Sequence, residues 1–250
     1  MIDTTYRTPA EQASIDKGLQ SFFNQVYSRM SVAMMISGLI AYVLGQDMLA
    51  LIEGGSVQYL PKGFVEFMMS PIVMIVTCFS PLVFLLFGGS AMMSSQNATA
   101  TKIGLYTIAS LFGLSLSTIF VQFAQMSIAQ TFVATAAAFA GLSIFGYTTK
   151  RDLSGIGRFL FMALIGIIIA TIINLFIQSE PFDMLISIAG VLVFSALTAY
   201  DTQNLKNSYL RNRHDGEDRI SALASSGALS LYLDFIGLFM HLLQLVGNRR

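Results

Sequence analysis

The chain has 250 residues, of which 54% are hydrophobic and only 11% charged, with a formal net charge of zero and a mean hydropathy of +0.67. Soluble domains carry about 25% charged residues, so this composition excludes an ordinary soluble domain, and the balanced charge excludes the basic footprint of a nucleic-acid binder. The single cysteine, Cys78, excludes an internal disulfide and a cysteine-built metal site; within its apolar run it reads as a small buried hydrophobe.

Residues 1–22 are polar and mixed in charge, and read as a flexible tail without the basic start and immediate apolar core of a signal peptide. Residues 23–250 form the membrane domain. Seven apolar runs follow one another in it, near 26–45, 67–87, 103–124, 128–146, 157–177, 183–205 and 224–246. Each is about 20 residues, enough to cross roughly 30 Å of hydrocarbon as a helix. Strands with open edges would leave backbone groups unpaired in lipid. The pattern therefore predicts an all-α, seven-transmembrane-helix bundle. Only "AQM" or so parts the third run from the fourth, which predicts a tight hairpin. Eleven of the fourteen Lys and Arg residues fall on one side of this arrangement and three, Lys62, Arg249 and Arg250, on the other. Short basic loops stay in the cytoplasm, so the N-terminus is expected to be cytoplasmic and the C-terminus outside. Asp47, Glu53 and the strip Glu180–Asp183 then fall in outer loops. Asn174 and Gln178, polar within the fifth run, are expected to join helices.

Two acids interrupt the last two runs: Asp201 in "VLVFSALTAYDTQNLK" and Asp234 in "GALSLYLDFIGLFMHLL". A carboxylate at membrane depth costs roughly 3 kcal/mol on insertion scales and marks a functional site by default. In the expected topology Asp201 lies near the cytoplasmic end of the sixth span, and Asp234 about ten residues into the seventh. Their depths then match within a turn or so. Two carboxylates in low dielectric cannot both ionise cheaply, so they should share a proton and titrate as a unit. Such a pair is able to sense pH, to hold a hard cation such as Ca²⁺ transiently through oxygen, or to do acid–base chemistry; a packing role bonded to a neighbouring hydroxyl is the plainer alternative. Tyr200 and Tyr232 flank the acids as possible hydrogen-bond donors. Lys206 is five residues after Asp201 and is either a partner of the acids or a snorkelling cation. His241 is seven residues after Asp234, on the same helix face, as a relay or as a packed ring.

With the stretches "YTTKRDLSGIGRFLFMALIG", "FSALTAYDTQNLK" and "GALSLYLDFIGLFMHLLQLVGNRR", the chain resembles the bacterial branch of the Bax inhibitor-1 (transmembrane Bax inhibitor motif) family. The likeness runs through all seven spans and is strongest from 147 to 250. It implies a seven-helix bundle with the last helix central, a pH-sensitive Ca²⁺ leak, and an aspartate-pair sensor at Asp201 and Asp234. Two departures stand out. The family usually has Asn three residues after the second aspartate, where this chain has Gly237. The stretch "LFGGSAMMSSQNATATK" after the second span has only Lys102 where some members carry a basic latch for the acids.

The resulting expectation is a calcium leak channel gated by protonation of the acid pair, in the inner membrane of a bacterium, with the lipid bilayer, Ca²⁺ and protons as its partners and no tightly bound cofactor. A cation/proton antiporter and a regulator of a membrane-bound quality-control protease are the alternatives. An enzyme is not expected. Tyr200-Asp201 matches half of the intramembrane aspartyl protease signature, but Tyr232-Leu233-Asp234 stands where Gly-x-Gly-Asp is needed. Soluble hydrolase and phosphate-loop motifs are missing.

Overall fold

The computed structural model describes residues 9–89 and 97–250, and their regular elements are helices. Six of these are long and apolar enough to cross a membrane, and a bent pair supplies a seventh span if it is taken as one. The fold is all-α and multi-span, as the runs predict.

The first helix, α1, spans Pro9–Ile52, 44 residues. At 1.5 Å per residue this is about 66 Å, twice the hydrocarbon thickness, so α1 extends well beyond one side of the bilayer. The expectation of a flexible tail to residue 22 is corrected here for the part described. Leu19, Phe22, Phe23, Val26, Met30 and Ala33 are buried and recur every three or four residues, one continuous apolar stripe. Phe22 stacks on Tyr209 at 5.1 Å between ring centroids. The polar residues between the stripe positions hid it in a linear reading. Residues 1–8 of the expected tail lie outside the described residues.

The second span is broken. Helix α2 (Lys62–Met68) meets α3 (Pro71–Val83) at a bend of 71°. Pro71 forces the bend: the residue before a proline avoids helical backbone, and Ser70 is extended at φ −63°, ψ 139°. Inside α3, Pro81 has no N–H to give Thr77; the Ser80 hydroxyl donates to the Thr77 carbonyl instead, at 2.9 Å. A π-helical stretch, Phe84–Gly89, follows. Residues 90–96 of the stretch expected to lack a basic latch lie outside the described residues. Cys78, expected to be buried, is exposed on α3.

The remaining helices are α4 (Ala98–Leu116), the short α5 (Ile119–Gln122), α6 (Gln125–Thr148), α7 (Ser154–Ile177), α8 (Glu180–Asn212) and α9 (Glu217–Val246). Only Phe123 and Ala124 part α5 from α6, so the tight hairpin is present. Residues 248–250 seal it: Ala124 N–H donates to the Asn248 carbonyl and Arg250 N–H to the Gln122 carbonyl, both at 3.0 Å. Asn174, expected to join helices, ends its own helix instead; its side chain accepts from Ser179 N–H at 3.1 Å, and Gln178 follows in left-handed backbone at φ 53°. The last helix is central. It packs on α1, α4, α6 and α8 and buries Leu231, Tyr232, Phe235 and Leu238 almost completely.

Two polar anchors fix α1. Near the end that carries most of the basic residues (the basic end), Arg29 donates from Nη1 to the Ser221 carbonyl and to Ser225 Oγ (2.8 Å), and from Nη2 to Ser221 Oγ (2.7 Å), which ties α1 to α9. At the opposite end Asp47, expected in a loop, is a buried helical residue. Its carboxylate accepts from the N–H groups of Gln58, Tyr59 and Leu60 at 2.7–3.2 Å. It thereby holds the 53–61 connection down on the end of α1. An unsatisfied buried donor costs about 1–3 kcal/mol. Asp47→Ala is therefore expected to lower stability by at least that much and to open residues 53–61 to proteolysis, read by thermal unfolding in detergent and by the cleavage sites.

Candidate functional site

Helices α8 and α9 run antiparallel and interlock along their length. Leu205 sits on Gly227, Phe194 on Gly237, and His241 on Gly190. By this register Ser230 stands level with Asp201, and Asp234 level with Leu197. The acids are thus one turn apart along the axis, about 6 Å, as the topology predicts. Both line one cavity of about 650 Å³ between α7, α8 and α9. Asp234 is 4% exposed and its Oδ2 has no hydrogen-bond partner among the described residues, whereas Asp201 is half-buried.

The "AYDTQ" element divides into separate tasks. The Tyr200 ring lies against Gly157 of α7, where even a methyl group would stand 2.5 Å from Tyr200 Cζ. Asp201 faces the cavity. The Thr202 hydroxyl donates to its own helix at the Thr198 carbonyl (2.8 Å). Gln203 clamps the 149–153 connection: its Nε2 donates to the Arg151 carbonyl at 2.7 Å, and its Oε1 accepts from Leu153 N–H at 2.8 Å. In that same connection Asp152 accepts from Ser154 N–H at 2.9 Å, and this bond holds its carboxyl below the usual value. The motif thus places one acid and, through Gly157 and Gln203, fixes the helix that walls it.

Two of the supporting residues, Tyr232 and Lys206, have different positions from those expected, and His241 takes the packed alternative. Tyr232 does not line the acid cavity; it is fully buried on another face of α9, edge-on to Phe112 of α4 at 5.8 Å. Two residues along a helix turn a side chain by about 200°, so adjacency to Asp234 in sequence placed it away. Lys206 serves neither as a partner of the acids nor as a purely solvated cation: its Nζ donates to the Tyr147 carbonyl at 2.9 Å and lies 4.7 Å from that ring's centroid, closing the end of α6. His241 is packed against Gly190 and tilted on Phe194 at 5.6 Å, and its Nδ1 is buried without a partner among the described residues. Tyr200 alone of the four stays beside the acids.

Arg158, Phe194 and Ser230 line the cavity and were not singled out in the sequence. Arg158 was counted only as a topology charge, although it adjoins Gly157 at the start of α7. Gly237 is explained by Phe194, whose ring occupies the space that a side chain there would need. Overpacking of this kind costs about 1–3 kcal/mol. Gly237→Asn, the residue usual in the family, is therefore expected to destabilise this chain by that amount and Gly237→Ala in the same direction, measured as unfolding midpoints in detergent.

The sequence profile described as "Inhibitor of apoptosis-promoting Bax1" matches residues 19–250. An uncharacterized protein of Caulobacter vibrioides is 41% identical over 97% of this chain and 95% of its own length. The inner membrane protein YbhL of Escherichia coli is 38% identical over 93% of this chain and 94% of its own. A protein of Rickettsia prowazekii is 34% identical over the whole of both chains. With the seven-run pattern, the central last helix and these matches, the chain belongs to the Bax inhibitor-1 family of membrane proteins.

Proposed function

We infer that this protein is a cation leak channel of a bacterial inner membrane, that Ca²⁺ is its permeant ion, and that protonation of Asp201 and Asp234 gates it. The observation that carries the reading is the shared cavity: two carboxylates one turn apart in a membrane domain, one of them buried with an oxygen that has no hydrogen-bond partner among the described residues. The resemblance to YbhL, named an inner membrane protein, supports the location. The excess of Lys and Arg at one end supports a cytoplasmic N-terminus.

Carboxylate oxygen suits a hard cation, and like charges at this spacing repel. At low pH the pair shares a proton, α8 and α9 stay interlocked, and the path is closed. At higher pH the second proton leaves, the two charges repel, and the hairpin loosens to admit cations. Arg158, exposed at the start of α7, lines the wall of the same cavity.

The test is Ca²⁺ entry into dye-loaded proteoliposomes from pH 5 to 8. Wild-type flux is expected to rise with pH. Asp201→Asn with Asp234→Asn is expected to flatten that rise, and Asp183→Asn to leave it in place. No wild-type flux at any pH would overturn transport and leave the protease-regulator reading standing.

A further inference from the structure

The central helix divides two cavities of opposite character. Asp234 lines one; its neighbours Phe235 and Phe239 form the floor of the other, a cleft of about 490 Å³ between α1 and α6. The floor is buried, at 2% and 4% exposure. The mouth is not: Gly38 and Tyr42 of α1 and Phe132 of α6 are exposed. Polar side chains along the cleft are committed elsewhere. Ser37 Oγ donates to the carbonyls of its own helix at Ala33 and Met34, both at 3.1 Å, and Gln125 Nε2 donates to Gln46 Oε1 at 2.9 Å.

An unfilled cavity of this volume would cost about as much as the whole stability margin of a fold. Water does not fill it either, because water needs two or more polar partners in a cavity and apolar cavities stay dry. The mouth opens about one to two turns below the start of α6, roughly 6–12 Å along the axis, between two membrane-spanning helices. It is continuous with the exposed apolar belt of Met126 and Val133 that faces the bilayer. We propose that this cleft is a lipid site, and that one acyl chain of a bilayer phospholipid enters between α1 and α6 and lies on Phe235 and Phe239 of the central helix. An occupied cleft would support α9 on the face next to the one that carries Asp234, so lipid occupancy and the acid cavity act on the same helix.

The chain contains no tryptophan, which makes the test direct. Phe239→Trp places a lone fluorophore on the floor, with Phe235→Trp as the second variant if the first does not fold. Each is reconstituted in phosphatidylcholine vesicles with either brominated or ordinary acyl chains. Bromines are expected to quench the floor tryptophan well beyond a reference Tyr232→Trp, which is buried on the same helix outside the cleft. Gly38→Leu, at a position where an added Cβ meets no atom within 4 Å, should fill the mouth and remove that quenching. Quenching no greater than the reference, or quenching that persists with Gly38→Leu, would overturn the proposal.

Discussion

Hydrocarbon does not tolerate an isolated carboxylate, and the arrangement of α8 and α9 is the answer this chain gives for Asp234. The helix that carries it packs on four others, α1, α4, α6 and α8, so the acid is held away from lipid by protein on several sides. The remaining side opens to the cavity that Asp201 shares. Everything that locks the hairpin's register therefore also sets the spacing of the two acids. A slip of one residue would turn Asp201 by about 100° and take it out of the cavity.

That register rests on small residues facing large ones. Leu205, Phe194 and His241 each seat on a glycine of the opposite helix, and lipid offers little hydrophobic drive for helices to associate, so close packing has to supply the attraction. The polar anchors act at the ends. Gln203 fixes the connection into α7, Lys206 the end of α6, and Arg29 the start of α9 against α1. Asp47 and the residue 248–250 segment close the opposite end. The middle of the bundle is thus left to apolar packing and to the two acids.

The apolar runs made the all-α, multi-span fold class legible, because apolar length is a strong signal. The two acids were legible for the opposite reason, as rare charges in long apolar segments. Less was readable where a side chain's direction mattered. Tyr232 is next but one to Asp234 in sequence and faces α4, and Lys206 reaches Tyr147, a contact across 59 positions. The helical start of α1 was hidden because its apolar stripe is diluted by charged positions over residues 9–22. Arg158 was overlooked because a cation at a span's end has an ordinary topological reason to be there. The bend at Pro71 carried a local signal, a proline within an apolar run, that the run's hydrophobicity outweighed.

Coupling between the acids is the feature on which the functional reading turns, and it has a direct measurement. Infrared titration of the protonated carboxyl C=O band, in wild type and in Asp201→Asn, follows Asp234 itself in the reconstituted protein. Groups that share a cavity and a proton interact by more than about one pH unit. Replacing Asp201 is therefore expected to move the Asp234 midpoint by at least that much and to reduce a two-step titration to one. An Asp234 midpoint that stays the same with and without Asp201 would show two independent acids and contradict a shared gate.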